Sequence, residues 1–408
     1  MIYYLLLVEL FFFVFTGYII VRKKELSVIY LPVLFFSRSL FIPSTRAILW
    51  YMILAGIMGY LYYRNKGTLR HNPYAILLSI YFTVLLFFSS DPSGVRANYT
   101  ASVVFFLSIP LIYNIYKMYG RSFIESEIYK MCLIILLLFI SNTVLATLTG
   151  YTGGGQMYRG VTGIWYGHLS AADFNIIPVA LFFLLYKLSK KYSTSDILIA
   201  IVSFGLVVLS MRRSIMVAAI VSAGIFALML LFQRNISNFI ITTFTLGMFI
   251  IITLVSSDVL NKFWERYEAR GLHEREFVST EEGRFIEYEL VYSDIFIHKR
   301  YSPITGYELF NSSGNYGGGV HKLRSLHSDI TVIIHGSGLL GLFLYLLMTF
   351  KSFKDSFMSA LNVSDLLILL FCAAALIIFS LTGRFTMADH MITTFLVLLL
   401  PMSNRGTV

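Results

Sequence analysis

The chain alternates between apolar runs long enough to cross a lipid bilayer and short linkers that carry most of its basic residues. A helix needs about 20 apolar residues to span the hydrocarbon core of a bilayer. Runs near that length give thirteen candidate spans, at residues 2–20, 27–41, 45–62, 73–90, 98–116, 128–148, 168–187, 196–210, 214–232, 237–255, 327–350, 363–381 and 389–403. The count falls to twelve if the short run 27–41, which Pro32 interrupts, is re-entrant.

Composition points the same way. Hydrophobic residues make up 57% of the 408 residues and charged residues only 13%, where soluble domains have about a quarter charged. The sequence therefore predicts an all-α polytopic membrane protein whose single transmembrane domain covers residues 1–408. Met1 leads directly into an apolar run, so we expect the first segment to be retained as a membrane helix. Cys132 and Cys372 lie inside apolar runs, which argues against a disulfide framework or a thiolate metal site.

The basic linkers predict the orientation of the chain in its membrane. Six of them fall on alternate sides from the other loops: RNKGTLRH (64–71), KMYGRS (117–122), KLSKK (187–191), QRN (233–235), KSFKD (351–355) and SNRG (403–406). The positive-inside rule assigns these linkers to the cytoplasm. This topology explains most of the net charge of +10, so a nucleic-acid partner is not expected. No internal repeat or inverted half is visible, which disfavours a secondary transporter.

One long polar segment, Ser256 to Leu326, interrupts the apolar pattern and falls on the opposite, outer side. It contains eleven of the 22 acidic residues beside nine Lys and Arg, a balance that predicts a folded, salt-bridged outer subdomain (256–326) between two membrane helices. Apolar residues at helical spacing predict two amphipathic helices at the membrane surface, one from Val259 to Tyr267 and one on Phe285, Tyr288, Tyr292 and Phe296. The glycine run at 312–319 is interpreted as a flexible loop rather than a phosphate cradle.

Arginine occurs on the outer side, where the topology rule should deplete it. The outer loops carry Arg96, Arg159, Arg212, Arg213 and Arg384, and the polar segment adds Arg284. A guanidinium fork matches phosphate geometry and stays charged, so several arginines converging on one cavity would bind a diphosphate. The alternative for each arginine is an ion pair with a carboxylate of the polar segment or with a lipid headgroup.

His327 stands where the polar segment ends and the span 327–350 begins. A histidine exchanges a proton near neutral pH, and an acceptor hydroxyl can reach the end of a membrane helix. Asp329 projects to another side of the helix and is not an obvious partner. The alternative is a structural, hydrogen-bonded histidine, and this is the interpretation we give to His335, two turns deeper. The glycines at 336, 338 and 341 are expected to allow close helix packing.

These residues carry a resemblance to a known family. His327-Ser328, nine residues and then the Gly-x-x-Gly of residues 338–341 resemble the signature that ends the large periplasmic loop in the superfamily of O-antigen ligases and Wzy-type O-antigen polymerases. Three further matches follow the family's order: Arg159 in YRGVTGIWYGHLSAADFN, although His168 stands where Asn is common; Ser210-Met211-Arg212-Arg213-Ser214, in which either arginine can align; and Glu282-Gly283-Arg284 followed by Thr305-Gly306-Tyr307. The resemblance covers residues 90 to 350.

The resemblance implies a glycosyltransferase of the GT-C type in the bacterial inner membrane, with its active site facing the periplasm. Its donor would be a glycan on undecaprenyl diphosphate, transferred en bloc with inversion and without cofactor or metal. Arg159, Arg212 or Arg213, and Arg284 would hold the diphosphate, and His327 would orient or deprotonate the acceptor hydroxyl. Glu281 and Glu282 are alternative bases or salt-bridge partners.

Two members of the superfamily fit this pattern. A polymerase extends the lipid-linked chain onto an acceptor glycan, and a chain-length regulator is then an expected partner; a ligase moves the finished chain to lipid A core. The sequence favours the polymerase and keeps the ligase as the alternative. A transporter of lipid-linked sugars should show charges at mid-membrane depth in several spans, and these spans are nearly free of them.

Overall fold

The structure, a computed structural model, describes most of the chain, and the following account concerns those residues only. They are residues 2–41, 47–65, 68–150, 165, 167–170, 172–210, 212–233, 247, 260–261, 264–265, 268, 283–319, 325–382 and 387–405. Within them the chain is helical, and the β-structure is limited to one isolated antiparallel bridge between Ser302 and Gly306. The predicted all-α fold is confirmed for the described residues.

Thirteen α-helices of the described residues are numbered here in chain order. They are α1 (Ile2–Tyr18), α2 (Ser27–Ser39), α3 (Ala47–Arg64), α4 (Pro73–Phe87), α5 (Pro92–Met118), α6 (Arg121–Leu148), α7 (Ile176–Lys190), α8 (Thr194–Leu209), α9 (Arg213–Phe232), α10 (Gly283–Tyr292), α11 (Asp329–Phe357), α12 (Val363–Thr382) and α13 (Ala388–Leu398). Short 3-10 and π turns extend several of them.

Local sequence chemistry sets several of the helix starts. Proline is the first residue of α4 and of α5, where its missing N–H costs no hydrogen bond and its fixed φ suits a helix. The Asp91 side chain caps α5 by accepting a hydrogen bond from the Gly94 amide at 2.9 Å. The predicted span 168–187 begins too early, because residues 167–170 form a turn and α7 starts only at Ile176. The predicted span 237–255 lies almost entirely outside the described residues.

Three helices are buried on all sides by protein. Every residue of α13 is buried, as are nearly all residues of α7 and of α2 from Ser27 to Leu34. Apolar residues surround α7 and most of α2, as is typical of helices in the interior of a bundle, whereas α13 also buries polar residues such as Asp389 and His390. At 13 residues, α2 is about 20 Å long, which is shorter than the bilayer core.

Other helices expose apolar residues on their outer faces, as expected beside lipid. Large aliphatic and aromatic side chains are exposed along α1, α9, α11 and α12, for example Leu10, Ile220, Phe343 and Ile377. Within the described residues, six segments are long and apolar enough to cross a membrane: Tyr3–Ser39, which covers nearly all of α1 and the whole of α2, Pro92–Met118, Arg121–Leu148, Arg213–Phe232, Asp329–Phe357 and Val363–Leu381. This is the architecture of an all-α polytopic membrane protein.

Side-chain contacts define two ends of the bundle. At the first, here called the Glu125 end, Glu125 at the start of α6 binds Lys190 at the end of α7. At the other, here called the His327 end, the Ser328 hydroxyl beside the start of α11 donates to the Ser380 carbonyl near the end of α12 at 3.0 Å. The six linkers predicted to be cytoplasmic lie at the Glu125 end of the bundle, and Arg212 and Arg213 lie at the His327 end.

The described part of the polar segment is a folded unit at the His327 end. One face of α10 and the turn after it packs into a small core of Val291, Ile295, Tyr316 and Leu326. The aromatic residues predicted to face the membrane surface lie outside this core: Tyr292 and Phe296 are exposed and stack on each other with ring centroids 5.1 Å apart. The predicted helix 259–267 lies mostly outside the described residues.

A loop of the polar segment enters a break in α11. Gly338 has φ +64° and ψ −167°, so it interrupts the helix and releases backbone groups. The loop satisfies them: Leu339 N donates to Pro303 O at 2.8 Å, and Tyr307 N donates to His335 O at 2.7 Å. A Cβ on Gly338 would lie 2.2 Å from Ile304 O, so the close approach requires glycine. The glycine predicted to serve helix packing therefore serves loop insertion.

Candidate functional site

The site at the start of α11 is built on a buried carboxylate. Glu287 of α10 is 0% exposed, and its two oxygens accept hydrogen bonds from the backbone N–H of His327 at 2.9 Å and from the ring nitrogen Nδ1 of His327 at 3.0 Å. The His327 side chain itself is 36% exposed. A carboxylate that holds both the main chain and the ring fixes the position and the rotation of the imidazole.

Neighbouring contacts hold both partners of this pair in place. Leu326 is buried in the small core beside α10, and its backbone N–H donates to the Ser312 hydroxyl at 3.1 Å. On the other side, the hydroxyl groups of Ser328 and Tyr288 share a short hydrogen bond. Tyr288 follows Glu287 directly in α10. Contacts on both sides of His327 therefore attach it to the same helix.

The geometry of this pair is suited to proton transfer. With the proton on Nδ1 directed at Glu287, the second ring nitrogen, Nε2, carries the lone pair that can accept a proton. A buried carboxylate stabilises the imidazolium that forms when the proton is taken up. The pair can therefore act as a general base towards a hydroxyl group that approaches the partly exposed ring.

His335 has a structural role, as its depth suggested. It is buried, its Nε2 donates to the Asn315 carbonyl at 2.9 Å, and its ring packs against Tyr301 and Tyr307. The ring thereby connects the inserted loop to α11 one turn before the break at Gly338.

Of the two adjacent arginines, Arg212 is the one directed into the protein. Its guanidinium lies over the Phe174 ring at 4.5 Å, and Nη2 donates to the Leu169 carbonyl at 3.4 Å. Arg213 is exposed in the first turn of α9. The packing distinguishes two residues that the sequence left equivalent.

His327 and Arg212 start different helices at the same end of the bundle. Helix α12 packs against both α9, which follows Arg212, and α11, which follows His327. The described contacts attach His327 to α10 and attach Arg212 to the turn before α7. The two residues therefore lie at the same end of the bundle, beside helices that both pack against α12.

The remaining predicted diphosphate ligands are described only in part. Arg284 lies in α10, three residues before Glu287. Arg159 and Arg384 lie outside the described residues, as do Glu281 and Glu282. Arg96 is described, with its guanidinium 5.9 Å from the centre of the Tyr51 ring.

The loop beside the site is fixed to the end of α4 by a carboxylate. Glu308 accepts hydrogen bonds from the Ser90 hydroxyl at 2.7 Å and from the Asn311 amide at 2.8 Å. Burial acts to raise the pKa of Glu308, but these donors outweigh it and hold the pKa below the ordinary value of 4.5. The charged Glu308 side chain thus links the polar segment to the helix bundle.

The residues that the structure describes contain no group of three or more His, Cys, Asp or Glu side chains that could hold a metal ion. The prediction of metal-independent chemistry stays a prediction, because the acidic residues at 274, 276, 281 and 282 lie outside those residues.

Sequence reasoning missed Glu287, although a signal for it exists. Glu287 and Asp294 lie seven residues apart and share a helical face with the buried residues Val291 and Ile295. An acidic residue on an apolar face needs a partner, and Asp294 finds one in Arg300, whose Nη1 lies 2.7 Å away. The stripe of aromatic residues on the other face hid this pattern.

No protein-family model matches this chain. No curated protein sequence matches it either.

Proposed function

We propose that the protein is a membrane glycosyltransferase of the GT-C type that transfers a glycan from undecaprenyl diphosphate to an acceptor hydroxyl at the His327 end. The observation that carries the proposal is the His327–Glu287 pair, a partly exposed imidazole held by a fully buried carboxylate at the end of a membrane helix. The motif around His327, which resembles that of O-antigen polymerases and ligases, supports the same function.

In the proposed reaction the acceptor oxygen attacks the anomeric carbon of the donor sugar. Its proton passes to Nε2 of His327, and Glu287 stabilises the resulting imidazolium. The bond between the anomeric carbon and the diphosphate oxygen breaks on the opposite face, so configuration inverts. Arg212, together with Arg284 and Arg159, stabilises the charge on the departing diphosphate.

The proposed orientation puts the His327 end in the periplasm and the Glu125 end in the cytoplasm of the bacterial inner membrane. The basic linkers near the Glu125 end support this orientation. A lipid carrier could then present its diphosphate headgroup where the described segment 283–319 meets the membrane helices.

We infer polymerisation of lipid-linked repeat units, extended onto an acceptor glycan. The surface polysaccharide of a strain lacking the gene tests this. Core carrying a single repeat unit is the expected result; bare core with long chains accumulating on the lipid carrier would instead identify a ligase that uses lipid A core. Loss of the lipid-linked units from the periplasmic face would contradict both and indicate a transporter.

The pair itself is tested by Glu287→Gln, which keeps the shape of the side chain and removes its charge. We expect transfer to fall about 10-fold to 100-fold in kcat with little change in the KM for the donor, because Glu287 acts through His327 rather than on substrate. Glu287→Asp should restore part of the rate. Glu289→Gln, which changes an exposed glutamate of the same helix, is the matched control. Equal rates for the two Gln variants would contradict the proposed role.

A further inference from the structure

A cavity of about 250 Å³ lies at the His327 end, away from the described contacts of His327. The end of α2, the starts of α3, α5 and α13, and the turn before α7 line it. Every one of these elements contributes residues from the same end of the bundle. The cavity therefore lies at the end of the bundle where the proposed transfer takes place.

Two buried carboxylates line this cavity. Asp173 and Asp389 are each 4% exposed. Oδ2 of Asp173 accepts the Ser170 amide at 2.8 Å, and Oδ1 of Asp389 accepts the His390 amide at 2.8 Å. Each carboxylate is thus held by a neighbouring backbone N–H, and its remaining lone pairs can accept hydrogen bonds from the hydroxyl groups of a ligand.

Other residues of the lining are cationic and aromatic. The Arg38 guanidinium lies over the Trp50 ring, with Cζ 4.7 Å from the ring centre, and a guanidinium carries five N–H donors. Tyr51 and the Asn98 amide also line the cavity. The wall therefore combines donors with flat apolar surface.

The charges on the lining select against an ionic ligand. The lining carries two carboxylates and one guanidinium, so an anion such as a diphosphate would be repelled by Asp173 and Asp389. A cation would be repelled by Arg38 on the same lining. A neutral ligand with many hydroxyl groups can use every one of these donors and acceptors.

We propose that this cavity binds one neutral sugar residue of the glycan. Carboxylates accept hydroxyl hydrogens, Arg38 and Asn98 donate to hydroxyl oxygens, and Trp50 and Tyr51 supply surface for the apolar faces of the ring. The volume lies just below the roughly 300–1,000 Å³ of pockets that hold drug-sized ligands, so it suits one sugar residue rather than a whole repeat unit. That the ligand is part of a transferred glycan rests on the proposed function; the binding of a neutral sugar does not.

The tryptophans of the chain provide a direct probe. There are three, Trp50, Trp165 and Trp264, and only Trp50 is among the described lining residues. The full-length double variant Trp165→Phe/Trp264→Phe, purified in detergent, reports on Trp50 alone. We expect methyl glycosides of neutral hexoses or N-acetylhexosamines to change its fluorescence saturably. Methyl hexuronosides should bind at least 10-fold more weakly, and pyrophosphate should give no change.

Substitutions in the same background identify the groups that bind. Asp389→Asn and Asp173→Asn should each weaken glycoside binding at least 10-fold, because a site built to hydrogen-bond a ligand loses affinity when one partner is removed. Asp355→Asn, near the end of α11 at the Glu125 end, is the matched control and should leave binding unchanged. If the aspartate variants fail to fold, Ala101→Leu fills the cavity from α5 and should abolish the response.

The proposal is wrong if no neutral glycoside gives a saturable response, or if the folded Asp389→Asn and Ala101→Leu variants bind as tightly as the parent. Its failure is separable from that of the proposed function. Glycoside binding with normal transfer by a His327→Ala variant would remove the transferase mechanism and leave the sugar site. If that variant loses transfer and the parent binds no glycoside, the transferase mechanism stands and the sugar site is removed.

Discussion

The two ends of the helix bundle use their cations in different ways. At the Glu125 end, basic side chains lie directly on buried carboxylates: Arg121 is 2.5 Å from Asp365, and Lys190 is 2.7 Å from Glu125. At the His327 end, Arg300 pairs in the same way with buried Asp294, but three other described guanidinium groups lie over aromatic rings. These pairs are Arg38 over Trp50, Arg96 over Tyr51 and Arg212 over Phe174.

The difference shows that the role of a basic residue depends on its partner more than on how many basic residues its loop contains. A cation fixed on a buried carboxylate is neutralised, and its loss leaves an uncompensated charge, so it acts on stability. A guanidinium stacked on a ring keeps N–H donors at its edge, where an oxygen ligand can reach them. We therefore expect substitutions at the Glu125 end to change stability and substitutions at the His327 end to change activity.

The largest expected effect is that of His327→Ala. Removing a general base should lower transfer by about 10²-fold to 10⁴-fold, while the variant still inserts into the membrane and unfolds at a lower temperature than the parent, because Glu287 stays buried without its ring partner. The measurement is the polysaccharide ladder of the complemented deletion strain, together with the thermal unfolding of the purified protein. His298→Ala, which removes an exposed histidine just beyond the turn that follows α10, should leave both unchanged. Polysaccharide chains of near-normal length from His327→Ala would mean that the His327 end has only a structural role.

Glu125→Ala tests the other end. Arg121 and Lys190 would lose a buried partner, so we expect a loss of about 3–5 kcal/mol in the free energy of unfolding, with normal transfer per folded molecule. Thermal or denaturant unfolding in detergent measures it. Lys130→Ala removes a cation that is 51% exposed, and this control should cost less than about 1 kcal/mol. A stable Glu125→Ala protein with impaired transfer would reverse the assignment of the two ends.

Sequence alone predicts the helices well because their causes are local. Apolar runs of bilayer length, and prolines such as Pro73 and Pro92 at helix starts, act within one segment. His327 was also predictable, because it stands at the boundary between a polar segment and an apolar run. The contact between His327 and Glu287 spans 40 residues, and the cavity needs five separate helix ends. Such contacts depend on how segments pack, which no local pattern encodes.

The choice between the two adjacent arginines gives a finer test of the comparison. Arg212→Lys should lower transfer about 10-fold, because lysine keeps the charge but cannot stack flat on Phe174 or present two parallel donors to a diphosphate. Arg213→Lys, on the exposed side of the same turn, is the matched control and should stay within about 2-fold of the parent. Kinetics with a lipid-linked donor measure the difference. A larger defect in Arg213→Lys would assign the diphosphate to the exposed arginine.

The smallest expected effect concerns Glu308, a carboxylate at the His327 end that holds a loop in place. Because its pKa is held below the ordinary value of 4.5, the charged form stabilises the folded protein above that pH. This contribution is lost as the pH falls through the lowered pKa. Glu308→Gln should therefore unfold at a slightly lower temperature than the parent at pH 7, and the gap should close as the pH drops below about 4.5.

Unfolding temperatures of the parent and of Glu308→Gln between pH 7 and pH 3.5 measure this gap. Other groups that titrate in this range affect both proteins equally and cancel in the difference. Glu289→Gln changes an exposed carboxylate of α10 and should show no gap at any pH. A gap for Glu308→Gln that persists unchanged to pH 3.5 would mean that the loop is held by the shape of the side chain and not by its charge. In that case the two ends of the bundle would differ only in the partners of their basic residues.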